Sequence, residues 1–200
     1  MRGCGIKLEA QPFNERFHTR AVTICPTAII AGLTMSIGFD REIVPGTTGD
    51  YHTNLINKAN AAYDLLYKRN YDFCFLHVKA YDEAGHDRLV DKRVDFVRKI
   101  ELMLERFLEL CRHELDDCLI CITGDHSTPI YYGDHSFEPV QFSISSKQAI
   151  IDGKPIFLAD KVEHFDEVEA SLGCLGRFPG SEAMPLIFKI RERIEKQGYS

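Results

Sequence analysis

Two almost uninterrupted apolar runs, Phe73 to Val78 (FCFLHV) and Leu119 to Thr123 (LICIT), constrain this chain most. A strand with one wet face alternates polar and apolar residues. These runs do not alternate, so each reads as a strand covered on both faces. Between them Val90, Val94, Val97, Ile100, Leu104, Phe107, Leu108 and Cys111 recur at helical spacing, with Lys92, Arg98, Glu101 and Glu105 elsewhere. That is an amphipathic helix. Strand, helix and strand in this order form a βαβ unit with parallel strands and a right-handed crossover. The expected class is α/β, a mainly parallel sheet flanked by helices.

The flanking sequence extends this pattern. Ala21 to Cys25 reads as a short strand closed by Pro26, and a helix runs from there through Leu33 to a stop at Gly38. Arg41 to Val44 is expected as a short strand ended by Pro45-Gly46. Thr53 to Lys68 carries a helical apolar period. Val140 to Ile144 and Pro155 to Leu158 are short strand candidates, and Glu182 to Lys196 a closing helix with Pro185 in its first turn. No internal repeat, low-complexity tract or linker interrupts the 200 residues, which suit one domain or one large piece of a bigger one.

Each apolar run is followed at once by residues of another kind. The first leads to Asp82-Glu83-Ala84-Gly85-His86. The second leads to Gly124-Asp125-His126-Ser127-Thr128-Pro129, with His135 shortly after. Open α/β sheets keep their ligands in loops at the carboxyl ends of parallel strands. Asp82 and His86 are four apart, so a helical turn puts them on one face. Asp125 and His126 are adjacent, and twisting at a strand end lets both aim into one cleft. Gly133 supplies the turn that returns His135. Carboxylate and imidazole together bind hard or borderline divalent metals.

Five ligands exceed the three that a catalytic zinc commonly takes, which points to two ions. Two ions about 3.5–4 Å apart can hold the attacking and leaving oxygens of a phosphoryl group. The ligand types suit manganese, zinc or cobalt, with magnesium less natural for imidazole. The net charge of −6 leaves no excess cation for nucleic acid. No apolar run reaches membrane-spanning length. Seven scattered cysteines, among them Cys74, Cys111 and Cys121 in apolar patterns, form no disulfide framework and favour a reducing compartment such as the cytoplasm.

The neighbours divide by plainer readings. His77 lies within a strand and is expected in a structural role. His18, His52, His113 and His164 lack ligand-like company and are expected to face solvent. Ser127 has no Gly-x-Ser-x-Gly elbow, and for both Ser127 and Thr128 local backbone hydrogen bonding is favoured over nucleophilic work. Asp134 and Glu138 are expected to steady their loop. Lys79 stands where it can meet a phosphate or pair with a carboxylate. Gly46-Thr47-Thr48-Gly49 lacks the full spacing of a phosphate-binding loop.

The string His77-Val78-Lys79-Ala80-Tyr81-Asp82-Glu83-Ala84-Gly85-His86-Asp87, with Thr123-Gly124-Asp125-His126-Ser127-Thr128-Pro129, resembles the archaeal-type cofactor-independent phosphoglycerate mutases of the alkaline phosphatase superfamily. Val44-Pro45-Gly46-Thr47-Thr48-Gly49, Phe165-Asp166-Glu167-Val168 and Gly173-Cys174-Leu175-Gly176-Arg177-Phe178 resemble further family stretches. The resemblance implies an alkaline phosphatase-like fold and a glycolytic isomerase that moves phosphate between the 2- and 3-positions of glycerate through a phosphoenzyme. It implies two divalent ions, often manganese. Asp82, His86 and His135 would share one ion. Asp125 and His126 would hold the other, together with an aspartate and a nucleophilic serine near the family's N-terminus.

The chain starts well inside the family pattern, where Arg2-Gly3-Cys4-Gly5 resembles the return from the inserted substrate domain. The N-terminal metal aspartate, the nucleophile and that inserted domain are not matched. The whole chain therefore reads as the C-terminal, metal-bearing part of such an enzyme, an incomplete fold with the N-terminal half as a possible partner. At Phe137-Glu138 the sequence departs from an expected Gly-Asp-like pair. Two other readings stand beside it: a metal-dependent phosphatase, phosphodiesterase or sulfatase-like hydrolase of the same superfamily, and a catalytically dead binding subunit. The chain by itself is expected to show little or no mutase turnover. An assay of the purified 200-residue chain with 3-phosphoglycerate checks this, and full turnover would contradict it.

Overall fold

The computed structural model describes residues 10–154, 160, 162–164 and 166–197. It divides into two compact units, Met1–Cys111 and Arg112–Ser200. The expected strand at Pro155 to Leu158, the Arg2 to Gly5 stretch and Phe165 lie outside the described residues.

The first unit is built on a three-stranded parallel sheet. Its centre is β1 (Ala21–Ile24), flanked by β2 (Asp40–Arg41) and β3 (Phe73–Leu76). β1 is buried at all four positions, as a central strand covered on both faces must be. Its register with β3 runs from Ala21 opposite Phe73 to Ile24 opposite Leu76. The two strands therefore end together, and the His77 amide adds one more bond to the Ile24 carbonyl at 3.1 Å. At the other end of the sheet Phe13 of α1 (Phe13–Phe17) packs its ring against Phe39 and Phe73, with centroids 4.6 and 5.4 Å away.

Helices α2 (Ala28–Ser36), α3 (Leu55–Tyr63), α4 (Ala80–His86) and α5 (Val90–Cys111) complete this unit. Asn54 caps α3 by accepting the Asn57 amide at 2.9 Å, which satisfies one orphan donor of the first turn. The helix expected to Lys68 widens into a π-turn over Asp64–Lys68, closed by Arg69 N to Asp64 O at 3.0 Å. α5 spans the residues its periodicity marked, but its buried stripe differs. Phe96, Met103, Phe107 and Cys111 are buried, while Val90, Val94 and Val97 are about half exposed or more. The helix has a wide apolar side, and only the aromatic-rich part of it packs within this unit, beside α3.

The second unit carries β4 (Leu119–Thr123) antiparallel to β5 (Phe142–Ser146), then α6 (Lys147–Asp152), α7 (Glu167–Ala170) and α8 (Ala183–Gln197). Pro185 falls in the first turn of α8, where its missing amide costs nothing. Lys147 is buried and its ammonium donates to the carbonyls of Glu114 and Asp116 at 2.8 and 2.9 Å. Asp117 Oδ1 accepts the amides of Cys118 and Gln148 at 2.9 and 3.0 Å. This set of bonds ties the segment leading into β4 to the start of α6.

The α/β class and the parallel sheet flanked by helices stand, and several details are corrected. β3 takes β1 as its parallel partner and β4 takes β5 as an antiparallel one in a separate two-stranded sheet, whereas the expected βαβ unit had both strands parallel. A continuous apolar run reports coverage; it carries no information on partner or direction. Both strands are also only partly buried. β2 is shorter than expected because Glu42 makes the last bond to β1, at 2.9 Å, before Val44 turns inward. β5 begins two residues later than expected. The described cysteines are free thiols; Cys111 is buried, and burial pushes the Cys74 and Cys121 thiols up to about 12 and 11. Among the described residues no helix is long and apolar enough to cross a membrane.

Lys58 is fully buried in α3, and its ammonium donates to the His77 carbonyl at 2.6 Å. Burial lowers its pKa from 10.5 to about 8, with Cys25 working in the opposite direction. The folded state thus releases this proton before the unfolded state does, so stability attributable to Lys58 rises with pH between about 8 and 10.5. Lys58→Met removes that rise. The stability difference between the two proteins should change by on the order of 1.4 kcal/mol per pH unit across this window. Urea unfolding at a series of pH values measures it, and a pH-independent difference would contradict the assignment.

Candidate metal centre

In the first unit β3 passes through His77, Val78 and Lys79 directly into α4. Ala80, Ala84 and Gly85 are buried, so this short helix lies with its small residues inward. Asp82 and His86 fall together on another face. Asp82 Oδ1 is 3.4 Å from His86 Nε2. Two donors that share one ion through bonds of about 2.0–2.2 Å cannot be more than about 4.4 Å apart. The observed separation fits a single ion bridging them.

Lys79, the N-cap residue of α4, pairs with Asp82 Oδ2 and with Glu83 Oε1, the latter at 3.1 Å. Burial works against its charge, but the hydrogen bonds and charges of Asp82 and Glu83 outweigh that and raise its pKa. Of the two roles open to Lys79, the structure displays the ion-paired one. His77 plays a structural part, with Nδ1 3.4 Å from Cys25 Sγ across the ends of β3 and β1.

In the second unit β4 ends at Thr123, whose hydroxyl donates to the Gln141 carbonyl at 2.9 Å. The chain then turns and brings three expected ligands into proximity. Asp125 Oδ2 lies 3.4 Å from His126 Nε2, the same spacing as the pair on α4. The His126 and His135 rings face each other with centroids 3.6 Å apart. His135 returns through a turn in which Tyr132 N and Gly133 N both donate to Pro129 O, at 3.0 and 2.8 Å. Gly133 has φ +73°, a region glycine enters without penalty. Ser136 N to Ser127 O, at 3.0 Å, then closes the loop.

The lesser neighbours act as local supports. Ser127 Oγ donates to the Glu138 carbonyl at 3.3 Å, and Asp134 Oδ1 accepts the His135 amide at 2.7 Å. His18, His52, His113 and His164 are exposed. Thr128, expected with Ser127 in a structural role, also contacts a candidate ligand. It is buried, with its hydroxyl 3.2 Å from His126 Nδ1. That contact can fix the ring orientation and leave Nε2 as the outward donor, the usual task of a partner behind a ligating imidazole. A threonine two residues after a histidine at a strand end was the available signal.

Each unit therefore presents a carboxylate and an imidazole at ligand-like spacing, and the second adds another imidazole. Asp82 and His86 belong to the first unit, and Asp125, His126 and His135 to the second.

Comparison with known proteins agrees with the donor chemistry. The chain is 34% identical over 186 residues to a 2,3-bisphosphoglycerate-independent phosphoglycerate mutase of Pyrococcus furiosus, covering 93% of this chain and 42% of that protein. It is 36% identical over 198 residues to the protein of the same name from Sulfurisphaera tokodaii, covering 99% and 45%. The chain thus spans less than half the length of these curated relatives. Among solved structures, the PH0037 protein of Pyrococcus horikoshii aligns with a TM-score of 0.80 at 33% identity, over 92% of this chain and 52% of that one. A cofactor-independent phosphoglycerate mutase of Thermoplasma acidophilum aligns at 0.61 and 21% identity, over 90% and 39%, which shows a shared fold. The family model for the metalloenzyme superfamily matches residues 5–189, nearly the whole length, and the chain belongs to that superfamily.

Proposed function

We propose that this chain carries the metal-binding part of a cofactor-independent phosphoglycerate mutase, acting on phosphoglycerate in cytoplasmic glycolysis. Asp82, His86, Asp125, His126 and His135 serve as ligands of divalent ions. Manganese is among the metals that suit mixed carboxylate and imidazole donors, and it is the one we favour in such an enzyme. The observation that carries the reading is the recurrence, in each unit, of a carboxylate and an imidazole 3.4 Å apart. Membership of a metalloenzyme superfamily and relatives bearing the mutase name support it.

The chemistry follows from charge. Phosphoryl transfer asks a protein chiefly for positioning and for neutralisation of a multiply charged group. Bound divalent ions would supply that neutralisation in a chain with net charge −6. The remaining work falls to side chains. Lys79 holds Asp82 by the oxygen that does not face His86, so the other oxygen keeps its aim. Thr128 does the same for His126. Lys79 also stands close enough to the ligand pair to meet a substrate phosphate once Asp82 is engaged elsewhere.

Titration calorimetry with Mn²⁺, with bound metal counted by elemental analysis, tests the assignment. The unaltered chain should bind manganese. Asp82→Asn and His126→Ala should each weaken binding at least tenfold, and Thr128→Val by about tenfold, within the usual effect of losing a group behind a ligand. Undiminished binding in both ligand variants would refute the site. The alternative in which the site serves a hydrolase is tested by joining this chain to the remaining length of a relative such as the Pyrococcus furiosus protein. Interconversion of 2- and 3-phosphoglycerate is expected, and release of inorganic phosphate alone would favour the hydrolase.

A further inference from the structure

The segment between β2 and α3 is far more braced than a connection requires. Thr47 donates both its amide and its hydroxyl to the Val44 carbonyl, at 3.2 and 2.8 Å. Thr48 N donates to Thr53 Oγ1 at 3.1 Å, and Asn54 N to Gly46 O at 2.9 Å. Asn57 Nδ2 reaches back to Pro45 O at 2.9 Å. Asp50 Oδ1 accepts from Thr48 Oγ1 and from His52 N, at 2.7 and 2.8 Å. Asp50's carboxyl is held below its usual range by these same bonds, from Thr48 first. Nothing in the proposed chemistry uses this segment.

Two of its outer neighbours belong to α4. A Cβ placed on Gly49 would lie 3.9 Å from Lys79 Cγ and 3.5 Å from Thr27 Oγ1. Two residues on, the Tyr51 hydroxyl donates to Asp87 Oδ2 at 2.8 Å. Lys79 and Asp87 are the N-cap and C-cap residues of α4. The braced segment therefore passes close to the start of the ligand-bearing helix at Gly49 and is bonded to its end through Tyr51, with Asp82 and His86 between the two.

α4 needs such help. It has seven residues and no side-chain cap at its N-terminus. Helices this short do not persist on their own hydrogen bonds. Arg88 follows with φ 57°, and the end closes on two backbone bonds, Arg88 N to Gly85 O at 3.2 Å and Leu89 N to Ala84 O at 3.0 Å, next to the residue that Tyr51 holds. Yet Asp82 and His86 are useful as a pair only while one regular turn separates them.

We propose that the segment 44–53 is a splint for α4, and that Tyr51 is a positioning residue which, through Asp87, holds the last turn of the helix and so the spacing of Asp82 and His86. The bearing on metal affinity rests on the reading of those two residues as ligands. The splint itself does not. Burial first, then the bond to Asp87, push the Tyr51 phenol up to about 12, so it remains a donor at any ordinary pH.

A double-mutant cycle on the full chain tests this, using Tyr51→Phe, Asp87→Ala and the pair. Amide hydrogen exchange of residues 80–87 is read without metal, Mn²⁺ affinity is read by calorimetry, and the thermal midpoint is a check on the whole fold. Each single variant should speed exchange in α4 about tenfold and weaken Mn²⁺ severalfold, with the midpoint nearly unmoved. The double variant should be no worse than either single one, and Asp87→Asn, which keeps an acceptor oxygen, should restore most of the loss. Unchanged exchange in Tyr51→Phe, or effects of the two changes that simply add, would overturn the splint. Faster exchange in a chain that binds no Mn²⁺ even when unaltered would uphold the splint and remove the metal reading.

Discussion

The parallel register of β1 and β3 is the constraint on which the first unit's site depends. Because Ile24 and Leu76 are opposite each other, both strands stop at one level. The chain leaving β3 is then pinned from three directions: by Ile24 through the His77 amide, by Cys25 through the imidazole, and by buried Lys58 through the carbonyl. Only two residues separate His77 from the first residue of α4. A one-residue slip in the ladder would turn every β3 side chain to the opposite face and carry Asp82 and His86 with it.

The second unit reaches a comparable arrangement by different means. There the candidate ligands stand in a loop, and regular structure contributes only the starting point at Thr123. Order comes from the Pro129 turn, the Ser127–Ser136 bridge and the buried Thr128 hydroxyl. Two routes to a carboxylate–imidazole pair, a helical turn in one case and adjacent residues in the other, give the same 3.4 Å spacing.

Much of this was legible beforehand where local chemistry decides. Residues four apart on a nascent helix must share a face, so the Asp82–His86 pair could be read from spacing alone. Gly133 announced a turn, and Ser127 a backbone partner. What could not be read depended on partners distant in sequence. Nothing in LICIT says that β4 will pair antiparallel with Phe142–Ser146. The apolar breadth of α5 allowed more than one buried stripe, and Phe96 with Met103 took the place assigned to Val94 and Val97. Lys58 and Lys147 look like surface residues in the sequence, yet both are buried, with one backbone carbonyl accepting from the Lys58 ammonium and two from that of Lys147.

The ion pair between Lys79 and Asp82 has a consequence for how such a centre would fill. Without a bound ion, a carboxylate set among imidazoles is ordinarily free to swing toward solvent. Here an ammonium already occupies its far oxygen and keeps the near one turned to His86. The lysine behaves as a resident understudy. An arriving dication would find its first oxygen already in place, and would need only to share that carboxylate with a weaker rival.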